Sequence, residues 1–72
     1  MKTRVEFAKE HIERQIAWAE EELKKDRKNV IRAAENSDAD SVIAWAQNMK
    51  RTEDRIHELK SQLEVVTFIT NE

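Results

Sequence analysis

The 72-residue chain contains no glycine, no proline, no cysteine and no tyrosine, and only two tryptophans and two phenylalanines. Without glycine and proline the two strongest chain-breakers are missing. Phosphate-cradling glycine loops and glycine-bearing nucleophile elbows are excluded with them. Without cysteine there is no disulfide framework, no thiolate zinc site and no thiol nucleophile. Charge of one sign is also missing: 13 basic residues stand against 15 acidic ones, a net charge of −2. Such a balance points to neither nucleic acid nor an anionic membrane. No apolar run approaches the roughly 20 residues that span a bilayer. Met1-Lys2-Thr3-Arg4 opens like a signal peptide, but Glu6, Lys9 and Glu10 interrupt any apolar segment behind it. The composition therefore predicts a soluble, cytoplasmic protein with no membrane partner.

What is present is charge, at 39% of residues, laid over a regular apolar pattern. Disorder shares the charge density but lacks the pattern. In the first half Val5, Ala8, Ile12, Ile16, Ala19, Leu23, Val30 and Ala34 fall on one helical stripe. Glu10 and Arg14, Glu20 and Lys24, and Glu21 and Lys25 stand at the i,i+4 spacing that favours ion pairs. In the second half Val42, Trp45, Met49, Thr52, Ile56, Leu59, Leu63 and Val66 alternate in steps of three and four, a heptad. The tail from Leu63 to Thr70 is rich in β-branched residues. Its first half continues the heptad, so helix is expected over strand.

Between the halves lies one polar interruption, Glu35-Asn36-Ser37-Asp38-Ala39-Asp40. Either Ser37, with Asp40 completing a capping box, or Asp38 can start the second helix. The heptad phase tells a hairpin from one unbroken coiled coil. Val30 to Val42 is a step of 12 residues, five more than a heptad, where stutters and stammers add four or three. The stripe is poorly continued across the break. The expected fold is all-α: a single domain over 1–72 with a helix at 4–35, a turn at 36–38 and a second helix at 39–69, antiparallel. Folded about Ser37, the hairpin sets Val30 against Trp45, Leu23 against Met49 and Thr52, Ile16 against Leu59, and Val5 against Ile69. Ile-Ala-Trp-Ala occurs at 16–19 and again at 43–46, but the flanks differ and the two copies fall in different phases. Two helices cannot enclose a core, so closure by a second copy into a four-helix bundle is expected.

Asp26 departs from the apolar seam. Two readings stand open: a boundary position reaching a base such as Arg51, or a buried polar layer that sets register or oligomeric state. Phe7, His11 and Trp18 form a second stripe on the first helix. The hairpin is expected to bring Phe68 beside Phe7, with Val65 and Ile69 near. An apolar patch of this kind marks an interface more often than an accident.

Catalytic residues, cofactors and metal ligands are not expected. His57 and Ser61 share helical spacing but lack an oxyanion device and an orienting acid. His11 and His57 fall at different levels of the hairpin, too far apart to share a metal. Charge runs in bands. Lys24, Lys25, Arg27 and Lys28 lie level with Lys50 and Arg51, beside an acidic band of Glu20, Glu21, Glu22, Glu53 and Asp54; the turn is acidic again. The leading expectation is a non-enzymatic regulator, inhibitor or assembly adaptor that pairs with itself as a homodimer and binds an unidentified protein partner. Its contact residues are Phe7, His11, Arg14, Trp18, Lys25, Val65 and Phe68. The alternative is RNA or DNA binding through Lys24, Lys25, Arg27, Lys28, Lys50 and Arg51. It is disfavoured because the neighbouring acidic band repels phosphate and no aromatic residue interleaves the basic cluster.

Overall fold

A computed structural model shows two α-helices packed against each other as a hairpin. It describes residues 2–70; Met1, Asn71 and Glu72, which the expected 1–72 domain includes, lie outside the described residues. Helix α1 spans Arg4–Glu35 and helix α2 spans Ala39–Thr70, 32 residues each. At 1.5 Å per residue each is about 48 Å long, and the molecule is a slab of 53 × 19 × 12 Å. The β-branched tail stays helical to Thr70. Among the described residues no helix is long and apolar enough to cross a membrane.

Helix α1 begins at Thr3, whose hydroxyl accepts the Glu6 backbone N–H at 3.1 Å. Thr3-Arg4-Val5-Glu6 has the spacing of a capping box, a signal present in the sequence but overshadowed by the apolar stripe. The helix ends without glycine. Ser37 takes the left-handed conformation, φ 56°, that glycine usually supplies. The Ser37 N–H donates to the Ala34 carbonyl at 3.1 Å and the Asp38 N–H to the Ala33 carbonyl at 2.9 Å. These are the two bonds of a Schellman ending, and they satisfy carbonyls that the helix leaves open. Of the two candidate caps for α2, Asp38 holds the place. Its carboxyl oxygens accept the Ser41 N–H at 3.2 Å and the Ser41 hydroxyl at 2.7 Å. Ser37 is excluded as that cap because it already closes α1. The Asp38–Ser41 hydroxyl bond, then the backbone bond, hold the Asp38 carboxyl below the usual carboxylate range.

The seam on α1 is a stricter heptad than the apolar stripe suggests. Its seam positions run Val5, Lys9, Ile12, Ile16, Ala19, Leu23, Asp26, Val30, Ala33, all buried or half-buried, with Glu10, Gln15 and Asn29 half-buried beside them. Ala8 and Ala34, expected on the seam, are exposed. Alternating steps of three and four keep a seam facing its partner along both helices, and this alternation passes through Lys9 and Ala33 instead. Lys9 fits because its methylene stem can lie along apolar surface while the ammonium reaches water. On α2, Val42, Met49, Thr52, Ile56, Leu59, Leu63 and Val66 line the same seam, with Trp45 at its edge. Ile69, expected opposite Val5, is exposed; three residues earlier, Val66 holds the seam position. Ile16, Ala19, Ala33 and Ile56 are the buried apolar residues. Burying one isoleucine side chain contributes about 1.5–3 kcal/mol, so a seam this narrow has little to spare.

Asp26 settles the open question of its environment. It is 2% exposed, deeper than any apolar residue of the seam. Its Oδ1 accepts from Asn48 Nδ2 at 2.9 Å and its Oδ2 from Thr52 Oγ1 at 3.0 Å. Thr52 Oγ1 also lies 3.1 Å from the Asn48 carbonyl. A three-residue polar layer therefore crosses the seam, and Arg51 is not among these partners.

Candidate interaction surface

Two cross-helix contacts mark the flanks of the hairpin. On one, Arg55 donates to Gln15 Oε1 at 3.0 Å. On the other, Lys60 lies 3.9 Å from Glu20. Heptad register assigns the exposed residues to these flanks or to the outer backs of the helices.

Along α1, Phe7, His11, Arg14, Trp18 and Lys25 follow one another at helical steps of four, three, four and seven. They form one continuous stripe between the outer back and the Gln15 flank, and all five are exposed. Trp18 is 61% exposed and Phe7 59%. Val65 is exposed on α2, on the same flank and nearly level with His11. Phe68 is 67% exposed; it shares a level with Phe7, and heptad register assigns each to the outer back of its own helix. Ile69 joins Val65 on the Gln15 flank.

Trp18 forms one wall of a shallow groove of about 330 Å³, with Gln15, Ala19, Glu22, Arg51, Thr52 and Arg55. The groove sets an indole beside two guanidinium groups and one carboxylate. Sequence order hid this neighbourhood: Trp18 lies outside the basic run, and only the fold carries Arg51 and Arg55 to it.

The six basic residues of the band do not share a face. Lys25 and Arg51 belong to the Trp18 flank, Lys24, Arg27 and Lys50 to the opposite one, and Lys28 to the outer back of α1. Lys24 pairs with Glu21 at 3.2 Å and Lys50 with Asp54 at 3.8 Å. The band thus encircles the rod. The expected i,i+4 acid–base pairs give way to other partners: Glu10 bonds Lys2, Glu20 meets Lys60 and Glu21 meets Lys24. Exposed long side chains choose among several partners at little cost.

The Ser61 hydroxyl donates to the His57 backbone carbonyl at 3.1 Å, not to its imidazole. It is bound back onto its own helix, as mid-helix serines often are. Among the described residues no group of three or more histidines, aspartates and glutamates could hold a metal ion. Comparison with protein-family models, with curated proteins and with solved structures finds no match to this chain.

Proposed function

We propose that this hairpin is a non-catalytic interaction module that self-associates into a four-helix bundle and docks a protein partner on the Phe7–Trp18 stripe. The observation that carries the reading is surface. A compact monomer of 8.5 kDa exposes about 4,700 Å²; the hairpin exposes 5868 Å². Its radius of gyration is 16.3 Å, against about 11 Å for a compact chain of this length. The extra surface carries large apolar side chains on both flanks, Ile31 and Ile43 on one and Trp18 and Val65 on the other. Burying roughly 1,000 Å² from each of two chains is within the range of obligate dimers.

For the partner, the chemistry favours an amphipathic helix. Phe7, His11, Arg14 and Trp18 present anchors at helical spacing, and Arg51 and Arg55 can take an acidic side chain beside the indole. Charged residues at the rim steer encounter more than they add affinity. Sedimentation across a concentration series tests self-association; a monomer at every concentration that still melts cooperatively overturns it. Affinity capture from the native host tests docking. Proteins retained by the wild type after nuclease treatment, and lost with both Trp18→Ser and Phe7→Ser, support it. Equal retention by both variants removes it.

One observation favours a second reading. Trp18 beside Arg51 and Arg55 supplies the stacking ring next to basic groups that the linear sequence lacked. Glu22 in the same groove opposes phosphate. A salt-dependent RNA gel shift, abolished when Lys24, Lys25, Lys28 and Arg51 are reversed, would support that reading over protein docking.

A further inference from the structure

The flank opposite Trp18 carries a second apolar surface, next to the turn. Ile31 and Ile43 are each 57% exposed there. Heptad register places them level with each other, one on each helix, on the Lys60 flank. Beside them Ala34, Ala39 and Val42, with Ile43 itself, line a mainly apolar hollow of about 350 Å³, which Ser37 and Asp38 border at the turn. Ala46 continues the surface one turn further along α2. Ile31 projects beside this hollow and Ile43 forms part of its wall, so one patch offers both knob and socket. A two-fold interface needs this self-complementarity, because the same patch must serve on both sides.

We infer that a second copy of this chain occupies the Ile31–Ile43 surface, with the two hairpins antiparallel and overlapping through about the turn-proximal third of each. This rests on the self-association proposed above and names its face and direction. Charge decides the direction. In a side-by-side parallel pair, Lys24, Arg27 and Lys50 of one copy would face the same residues of the other, and like charges would oppose each other, only partly offset by Glu21 beside Lys24 and Asp54 beside Lys50. In the antiparallel overlap, the two-fold axis passes near Ile31 and Ile43. The basic residues then reach toward the partner copy's turn, where Glu35, Asp38 and Asp40 are exposed. The overlap buries alanines and isoleucines at its centre and leaves opposite charges at its edges. It also leaves the Phe7–Trp18 stripes free, one near each end of an elongated dimer, for the docking partner.

The test combines sedimentation with distance measurement on the full chain. Wild type, Ile43→Glu, Ile31→Glu and Trp18→Ser are compared, with helicity checked by circular dichroism. The substituted isoleucines are exposed, so each hairpin is expected to stay folded. Both isoleucine variants are expected to raise the dimer dissociation constant at least tenfold, and Trp18→Ser to leave it unchanged. The chain has no native cysteine, so Glu64→Cys supplies a single spin-label site far from the turn. Antiparallel overlap predicts two labels more than about 50 Å apart, from 1.5 Å of rise per residue; a parallel bundle brings them within about 25 Å, two or three helix diameters. A wild-type monomer overturns self-association and this interface together. A dimer that survives both isoleucine variants but dissociates with Trp18→Ser overturns the face alone. A dimer sensitive to the isoleucines with labels close together overturns the direction.

Discussion

Making the Asp26 layer apolar should be harmless or stabilising, whereas removing only one of its donors should be costly. Thr52→Val deletes the hydroxyl that Asp26 Oδ2 accepts at 3.0 Å and keeps the side-chain shape. The oxygen left behind belongs to a residue 2% exposed, so water cannot replace the lost donor. Leaving a buried acceptor unsatisfied costs about 1–3 kcal/mol. A 72-residue domain has about 4–11 kcal/mol in total, and each kcal/mol moves the melting temperature by about 4–8 °C. Thr52→Val should therefore melt roughly 10 °C lower. Adding Asp26→Val removes the stranded acceptor. Replacing buried polar groups by apolar ones of similar volume is neutral or stabilising by about 1–4 kcal/mol. Asn48, only half-buried, can turn its amide to water. The double variant should thus melt at or above the wild type, with a coupling energy of about 2 kcal/mol or more. Urea and thermal unfolding followed by circular dichroism would measure it, at one protein concentration because association shifts apparent stability. Additive single effects, or a neutral Thr52→Val, would refute the claim that these residues act as one buried unit.

Other perturbations read the turn and the cross-helix contacts. Ser37→Gly relieves a left-handed residue, which costs about 1–2 kcal/mol in a side chain-bearing residue. Part of that gain is offset by a freer unfolded chain, so a net stabilisation of about 0.5–1 kcal/mol is expected, visible as a melting point a few degrees higher. Asp38 has a folded-state pKa below its ordinary value of about 3.9. The stability it contributes is therefore fully present above that value and is lost as pH falls through the lowered one. Asp38→Asn should flatten this acid limb, measured by unfolding between neutral and acidic pH; an unchanged limb would assign it to other carboxyls. Arg55→Ala removes the bond to Gln15 on the exposed flank and should change stability by less than about 1 kcal/mol, checked by urea unfolding.

The sequence by itself determined that this chain is two helices folded as a hairpin. Periodicity is a local property, and without glycine or proline nothing breaks it except the polar stretch at 35–40, where the phase slips by five residues beyond a heptad. The α2 seam was legible for the same reason: its apolar positions and its heptad coincide. On α1 they do not. Ala8 and Ala34 are apolar but exposed, while the polar Lys9 is half-buried and Asp26 buried, because a heptad seam obeys its three–four alternation before it obeys side-chain polarity. Only the tertiary structure decided which donors meet Asp26, since Asn48 and Thr52 come from the other helix. It also decided that Asp38 caps α2 and that Ser37 closes α1, two roles that composition leaves interchangeable. Last, it joined Trp18 to Arg51 and Arg55. Level along a hairpin follows from counting residues, but flank depends on rotation about each helix axis, and packing across the seam sets that rotation.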